Sequence, residues 1–545
     1  MTDRRPSAAL IALPAIGLLG ASAAIAFATG RYDTAYGDAW SYLRVAFNFA
    51  NTGHFVLNGY VSTAFAGQAF AAAPVLRVFP DSLVAAYTWS LVVTAIGAVA
   101  VASLARRVLA AGDSMFATLV VYASPIVGVL AFGFHTDLTA FSAQMICLAL
   151  AIPAFERKSV PLLVAALVVG FWGVTVREFA VTAPLAVLVI GAVALRVPTR
   201  PFKSSVVLVA GGCFSVAAFG FALWRRSLPN AEEFPLGVSL SGMGRYLPQA
   251  LVTLGILLIP VAFCVPLRRV WAEARQRSAA LSLAIVALGF VLIVAALVGW
   301  VPILGNLVGD SGRQSVLDFG VGGLWALVRG LGAWALTVGA LSAVAVSDRW
   351  QLRARVRTNP GTLVLPLATV LAGFPILAYV VFSSKYPPFD RYLLPLLPGL
   401  AIMVVAAGAR FRVAARRRVA VGWVALLVFV AGSGLVTAVR SVDRSEAWRQ
   451  AQAVRAAGVP VDRITAFGTW VPFNGPFQYE AAFSGADTGE LRSGSCVLIT
   501  SRRKSGRQWV LVARSNPPTL SGDRRRVYTF ALRGSDCLTK IRKKK

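Results

Sequence analysis

The chain has 545 residues, of which 57% are hydrophobic and 14% are charged. So little polar surface excludes an ordinary soluble domain and predicts a multi-pass membrane protein. The formal net charge of +30 does not indicate a nucleic-acid partner, because most basic residues fall in short loops and in the C-terminal tail. The expected partners are instead membrane lipids and lipid-linked phosphates.

Apolar runs occur along most of the chain. A helix needs about 20 apolar residues to cross a bilayer, and about 13 runs approach or reach that length. They predict an all-α polytopic membrane module over residues 1–439. The runs cover residues 8–29, 82–104, 114–132, 138–155, 160–176, 179–195, 204–223, 249–267, 279–298, 321–346, 362–382, 392–409 and 419–439.

The loops between the runs predict an orientation, because short loops rich in Lys and Arg stay in the cytoplasm. One set of alternate loops carries about 22 basic residues and the opposite set about 10. We therefore expect a protein of the cytoplasmic (inner) membrane with its N-terminus inside and its tail outside. The first run also resembles a cleavable signal, but its length of about 22 residues favours a retained span.

The first outward loop, residues 30–81, contains a polar pattern with helical spacing. If a helix begins near Asp38, its residues separate into two faces. The polar positions are Asp38, Ser41, Arg44, Asn48 and Asn51, and the apolar positions are Trp40, Leu43, Phe47 and Ala50. We expect this helix to lie on the membrane with its apolar face down and its charges exposed. A solvated helix without a catalytic role is the alternative. Residues 60–80 are interpreted as a second surface helix. A span is the alternative, but it would invert the sidedness of all later loops, against the Lys and Arg count.

A second carboxylate, Asp137, is predicted on the same side of the membrane as Asp38, in the short turn before the fourth run. Two carboxylates at one surface can divide the roles of base and substrate-orienting group. Alternatively, Asp137 caps the helix that follows.

His54 and His135 map to the same surface as candidate substrate contacts. They make a weak metal site without more carboxylates, so no metal ligand is assigned.

Two later motifs contain cations. Arg177 and Glu178 separate the fifth and sixth runs, and a charge at mid-bilayer costs about 2.5 to 3.5 kcal/mol, so a tight turn at the surface is predicted there. It either anchors the helices or lies beside a reaction centre. Further along, Arg391 begins a span where its guanidinium can bind a phosphate, with Lys385 as a second cation. Tyr392 is a further candidate contact, although aromatic residues are typical of any span end.

The composition changes after residue 440, which predicts a separate soluble α/β domain over residues 440–545. A helix is expected at 446–457, strands at 464–470, 496–500, 509–513 and 526–532, and a disordered basic end at 542–545. Cys496 and Cys537 can form a disulfide if the tail is outside the cytoplasm. Three tryptophans are candidate sugar platforms, with burial in the small core as the alternative for at least two. They are Trp448, Trp470 and Trp509.

With these motifs the sequence resembles the GT-C superfamily of membrane glycosyltransferases, in particular its arabinofuranosyltransferase and protein O-mannosyltransferase branches. Many members carry Asp-Asp-Ala in the first outward loop, followed by Arg, Asn, Gly and Asn. The matching residues are Asp38, Ala39, Arg44, Asn48, Gly53 and Asn58, and the pair Arg391 and Tyr392 resembles the late outward motif. Gly37 stands where the first Asp often occurs, which weakens any transfer of a paired-acid or metal-binding role.

The resemblance implies an inverting hexosyl- or pentosyltransferase that moves a sugar from a polyprenyl-phosphate donor to a glycan, lipid or protein at the outer face. Asp38 would be the general base, a role for which burial suits a carboxylate if it raises the pKa. Arg391, with Arg44 or Lys385, would hold the lipid phosphate. No cofactor is required, and a divalent metal is left open without being indicated.

Three other classes of function stay open. A lipid-linked glycan polymerase or ligase has a similar architecture but uses a diphosphate donor. A transporter or flippase usually places ionisable groups at mid-membrane, whereas the charges here gather at surfaces. A non-catalytic scaffold with a binding tail is the third. The sequence has no P-loop, dinucleotide fingerprint or nucleophile elbow, which argues against nucleotide chemistry and energy-coupled pumping.

Overall fold

A computed structural model shows a mainly helical chain with one small sheet near the C-terminus. The predicted fold class, a polytopic helical module followed by a small α/β unit, is confirmed. The structure describes residues 6–35, 38–61, 64–196, 201–229, 240–304, 322–346, 359–382, 389–410, 416–466, 470–474, 495–500, 508–515 and 526–544.

The helices are numbered in chain order. The first group is α1 (Ala8–Ala28), α2 (Ala39–Thr52), α3 (Ala66–Val78), α4 (Leu83–Ala105), α5 (Ala111–Tyr122), α6 (Pro125–Leu130), α7 (Thr136–Arg157), α8 (Val160–Val176), α9 (Thr182–Ala194) and α10 (Ser204–Ser227). The second group is α11 (Leu240–Phe263), α12 (Leu267–Arg277), α13 (Ala279–Leu297), α14 (Gly322–Ala345), α15 (Val364–Phe382), α16 (Leu397–Arg410), α17 (Arg416–Ala456), α18 (Trp470–Asn474) and α19 (Asp536–Lys544). Short 3-10 helices occur at Arg31–Asp33, Glu178–Val181, Pro360–Leu363, Asp390–Leu396 and Val461–Arg463.

Nine helical segments within the described ranges are long and apolar enough to cross a membrane, and three shorter apolar segments accompany them. The chain is therefore a multi-pass membrane protein. The predicted third span, 114–132, is instead divided into α5 and α6. Ser124 caps α6 by accepting a hydrogen bond from the Ile126 amide, and Pro125 begins it. Proline suits the first turn of a new helix but lacks the amide hydrogen needed to continue an old one.

Helix α2 begins close to the predicted residue, but its apolar face packs against protein. Trp40 and Leu43 are 2% and 0% exposed, and the Trp40 ring lies 5.1 Å from that of Tyr60. Even Ser41, on the predicted polar face, is buried and donates its hydroxyl to Asn58 Oδ1 at 3.0 Å. The prediction of a helix lying on the membrane is wrong, because the chain after α2 folds back over it.

Helix α17 runs from the last apolar run into the tail as one helix of 41 residues. The sequence predicted two helices here, 419–439 and 446–457, because the apolar pattern stops near 440. Gly458, with a left-handed φ of 87°, follows its end as expected. On this helix, Ser445 accepts a hydrogen bond from the Thr34 hydroxyl at 3.4 Å, which ties the tail to the first loop.

The tail contains four strands, β1 (Ile464–Thr465), β2 (Val497–Thr500), β3 (Trp509–Ser515) and β4 (Val527–Leu532), in the order β1-β2-β4-β3. Strand β1 is parallel to β2, and β4 is antiparallel to both of its neighbours. The predicted disordered end is wrong, because residues 542–544 belong to α19. Leu538 and Ile541 bury the apolar side of that helix.

The three tail tryptophans have different environments. Trp448 and Trp470 are 3% and 0% exposed, and their ring centroids are 4.9 Å apart. These two rings therefore form core and have no face open for a sugar. Trp509 is half-buried on β3, an edge strand of the sheet, and is the tryptophan of the three that keeps an accessible surface.

Cys496 and Cys537 form a disulfide that joins the start of β2 to α19, with Cα atoms 6.2 Å apart. Closing a loop with a sequence separation of 41 restricts the unfolded tail by about 4 kcal/mol in the chain-entropy model. We expect the double change to serine to lower the free energy of unfolding of the tail by about 2 to 4 kcal/mol. Limited proteolysis at rising temperature measures this.

The matched control is Cys213→Ser, which removes an exposed free thiol on α10 and should leave the tail unchanged. A tail that resists protease to the same temperature in the double variant as in the wild type would show that the bond contributes little. Adding a reductant to the wild-type protein should reproduce the effect of the double variant.

Candidate functional site

Arg391 lies at the centre of a buried ionic cluster. Its Nη2 is 2.9 Å from Asp38 Oδ2, and its Nε is 3.7 Å from Asp137 Oδ2. Asp137 Oδ1 in turn is 3.2 Å from Nε of Arg177. The order Asp38, Arg391, Asp137, Arg177 therefore alternates in sign, and the four charges sum to zero. The cluster joins residues that are up to 353 positions apart in the sequence.

Each member of the cluster comes from the end of a helix. Asp38 precedes α2, Asp137 is in the first turn of α7, Arg177 follows α8, and Arg391 is in the 3-10 turn before α16. Because helix ends in a membrane module lie toward its surfaces, this position favours a site near one membrane surface over a site at mid-bilayer.

Asp137 does not cap α7. The N-cap residue is His135, and it makes no side-chain capping hydrogen bond. The capping interpretation of Asp137 is therefore wrong, because its carboxylate instead lies between Arg177 and Arg391, with 1% of the side chain exposed. The positive end of the α7 dipole adds to the stabilisation of a carboxylate at this place.

Arg177 is held by several contacts. Its Nη1 donates to the Thr136 hydroxyl at 2.9 Å and its Nη2 donates to the Tyr392 hydroxyl at 3.1 Å. The turn that carries it is fixed by Gln144, whose Nε2 donates to the Phe179 carbonyl at 3.2 Å. The predicted tight turn between the fifth and sixth runs is present, and it places Arg177 inside the cluster with 6% exposure.

Asp38 is the more accessible carboxylate, with 27% of its side chain exposed. Besides its ion pair with Arg391, it accepts a hydrogen bond from the Tyr60 hydroxyl at 3.0 Å. Burial raises the pKa of Asp38, but the positive charge of Arg391 and these hydrogen bonds outweigh burial and hold the pKa below its usual value. The condition attached to the role of base, a pKa raised by burial, is therefore not met while the Arg391 guanidinium lies against the carboxylate.

His135 is buried inside the protein, with 4% of the residue exposed. It is the N-cap residue of α7. Burial lowers the pKa of His135 to about 4, although the nearby carboxylate of Asp38 acts in the opposite direction. The imidazole is therefore neutral at physiological pH. Its Nε2 atom has no hydrogen-bond partner within the described ranges.

The other predicted site residues are less closely connected to the cluster. Asn48 donates its Nδ2 to the His54 carbonyl at 3.1 Å, and this contact folds the loop after α2 onto the helix end. The His54 side chain is exposed and Arg44 is partly buried. Lys385 and Gly37 fall outside the described residues. In the part of the chain that the structure describes, no three His, Cys, Asp or Glu side chains group closely enough to hold a metal ion.

Two neighbours of the cluster were not assigned from the sequence. Tyr60 follows the matched Asn58 by two residues, and this proximity was the only signal for it. Thr136 adjoins His135 and Asp137 but carried no signal of its own. For Arg177, the sequence left open whether the residue anchors the turn or joins a reaction centre, and its contacts with Asp137 favour the second.

Replacing Asp137 with asparagine should be strongly destabilising. The change leaves Arg177 and Arg391 buried side by side without their shared counter-charge, and breaking a buried pair in this way costs about 3 to 5 kcal/mol. Unfolding in mixed detergent micelles, followed by circular dichroism, measures the loss. Adding Arg177→Gln to Asp137→Asn should cost less than the sum of the two single changes.

Glu178→Gln is the matched control, because Glu178 adjoins Arg177 but is exposed. Its effect should stay within about 0.5 kcal/mol. Equal stabilities of Asp137→Asn and the control would mean that the ion pair contributes nothing to the fold.

No protein-family model and no curated sequence matches this chain. Among solved structures it is similar to ArnT from Cupriavidus metallidurans bound to undecaprenyl phosphate, with 12% identity over 95% of this chain and 98% of that chain and a TM-score of 0.46. It is also similar to the oligosaccharyltransferase AglB from Archaeoglobus fulgidus in complex with an inhibitory peptide and a dolichol-phosphate, with 11% identity over 82% of this chain and 58% of that chain and a TM-score of 0.42. Both TM-scores are below 0.5, so these similarities by themselves assign no function.

Proposed function

We propose that the protein is a membrane glycosyltransferase that moves a sugar from a polyprenyl-phosphate donor to a hydroxyl of a glycan, lipid or protein at the outer face of the cytoplasmic membrane. The observation that carries the proposal is the contact between Asp38 and Arg391 at 2.9 Å. It combines a carboxylate that can accept a proton from a hydroxyl with a guanidinium that can hold a phosphate.

In the proposed reaction, Asp38 takes the proton of the acceptor hydroxyl while the acceptor oxygen forms a bond to the anomeric carbon of the sugar. The bond between that carbon and the phosphate oxygen breaks, and its electron pair leaves with the polyprenyl phosphate. Arg391 stabilises the charge that develops on this leaving group. Attack on the face opposite the phosphate inverts the anomeric configuration.

The surroundings of Arg391 suit this role. Its guanidinium carbon lies 4.7 Å from the centre of the Phe389 ring and 5.9 Å from that of Tyr392, which limits the directions in which the side chain can move. His135, whose Nε2 has no hydrogen-bond partner among the residues that the structure describes, is suited to a hydrogen bond with a substrate hydroxyl. Contacts of substrate with Arg44, Asn48, His54, Lys385 and Tyr392 stay predictions.

The proposed location at the outer face is supported by the distribution of basic residues among the loops and by the disulfide in the tail. The Lys and Arg distribution favours a cytoplasmic N-terminus and an outward tail. The bond between Cys496 and Cys537 is of a kind that persists outside the cytoplasm, which agrees with that orientation. The outward tail, residues 440–545, would then lie on the same side as the acceptor.

Purified protein given radiolabelled polyprenyl-phosphate sugars and candidate acceptor glycans should form a labelled product and release polyprenyl monophosphate. Release of a diphosphate instead would favour the polymerase or ligase alternative. Movement of the labelled lipid across proteoliposomes without any new glycosidic bond would contradict the proposal and favour a transporter.

A further inference from the structure

The ionic cluster has no surplus positive charge. Its two guanidiniums are balanced by its two carboxylates, and three contacts between opposite charges, of 2.9, 3.2 and 3.7 Å, link the four side chains. A donor phosphodiester carries one negative charge. Among these four side chains, we expect the phosphate to take the place of one of the carboxylates when it reaches Arg391, because adding a third anion to a partly buried neutral cluster is costly.

The two carboxylates differ in how firmly they are held. Asp137 contacts both guanidiniums, is 1% exposed and lies in the first turn of α7. Asp38 contacts only Arg391 among the described cations, is 27% exposed and makes no capping hydrogen bond with its own helix. Its other contact is the Tyr60 hydroxyl, which can rotate toward a different acceptor. Asp38 is thus the carboxylate that is easier to displace.

We propose that the donor phosphate replaces Asp38 as the partner of Arg391, while Asp137, held by Arg177, keeps the Arg391 guanidinium in place. Arg177 and Asp137 are then positioning residues, and Asp38 is an exchangeable partner. This inference rests on the proposed function, since it names the order of events at the same site.

The exchange has a chemical consequence. While Asp38 is paired with Arg391, the guanidinium holds its pKa low, and a carboxylate in that state is a weak base. Once the phosphate neutralises Arg391, burial becomes the main influence on Asp38 and its basicity increases. The base is therefore released only after the donor has bound, so the donor binds before the acceptor becomes reactive.

The test measures binding and needs no turnover. Purified wild-type protein and Asp38→Asn are titrated with farnesyl phosphate, a short polyprenyl monophosphate, and with farnesol, which has the chain without the charge. Removing the competing carboxylate should tighten farnesyl phosphate binding by roughly tenfold, equivalent to about 1.4 kcal/mol, and leave farnesol binding unchanged. Asp33→Asn, a change of an exposed carboxylate in the same loop, is the control and should bind both ligands like the wild type.

Farnesyl phosphate binding that is equal or weaker in a folded Asp38→Asn protein would overturn the exchange, and so would an equal gain for farnesol. Asp38→Ser provides a second variant if the asparagine protein does not fold. The outcome is separate from that of the transfer assay: tighter binding without any sugar transfer would remove the proposed function and leave the exchange in place.

Discussion

An Asp38→Asn enzyme should transfer sugar about 10² to 10⁴ times more slowly than the wild type, the range typical of a lost general base. The amide keeps the size of the side chain and can still accept a hydrogen bond from Arg391, but it cannot take the acceptor proton. The loss should therefore appear in kcat. Single-turnover transfer from a labelled polyprenyl-phosphate sugar measures it directly.

Asp33→Asn is again the matched control, because Asp33 is an exposed carboxylate of the same loop. It should retain the wild-type rate. Full activity of a folded Asp38→Asn enzyme would remove Asp38 from the reaction. A rise in the donor KM with unchanged kcat would also contradict the role of base, since it would assign Asp38 to binding alone.

An Arg391→Lys enzyme should have a donor KM roughly 10 to 100 times higher, because lysine cannot reproduce the planar contacts of a guanidinium. In the present structure Arg391 reaches Asp38 through Nη2 and Asp137 through Nε. A lysine ammonium carries all its donors on one nitrogen, so it cannot contact Asp137 and a phosphate from the two separate positions that Nε and Nη2 occupy. Initial rates at varied donor concentration measure the change.

The matched control for this variant is Arg463→Lys. Arg463 also pairs with an aspartate, its Nη1 lying 2.9 Å from Asp536 Oδ1, but on the exposed surface of the tail. Exposed pairs contribute little, so the donor KM should stay the same within about twofold. An unchanged donor KM in Arg391→Lys would indicate that the phosphate binds elsewhere.

Much of the architecture could be predicted from the sequence, because a bilayer demands long apolar segments whatever their neighbours are. The runs therefore coincide with helices, and Pro125 marks where one run breaks. The amphipathic pattern of α2 predicted the burial of Trp40 and Leu43 correctly, but it also placed Ser41 on a polar face, and Ser41 is buried. It did not show what would cover the apolar face, since a helical period is the same against lipid as against protein.

The site was partly predictable for a related reason. Asp38 stood out in the polar pattern of the first outward loop, and Asp137 and Arg391 stood out as charges at the ends of apolar runs. Their common side followed from the order of the spans. The contacts between these residues could not be predicted, because the packing of helices that are distant in sequence decides which loop ends meet. Arg177 is an example. Whether it anchors the turn or belongs to the site depends on its contact with Asp137, which is 40 residues away in sequence.

The unbroken helix α17 also sets the position of the tail. At 1.5 Å per residue, its 41 residues extend for about 60 Å, roughly twice the hydrocarbon thickness of a bilayer. The tail is thus connected to the membrane module by a continuous helix instead of a flexible linker. On this helix, Ser445 accepts the hydrogen bond from Thr34 and so fixes the helix to the first loop. The orientation of the tail therefore depends on the number of residues in the helix. One residue inserted after Ser445 would rotate the sheet by about 100° about the helix axis and move it by only about 1.5 Å along that axis.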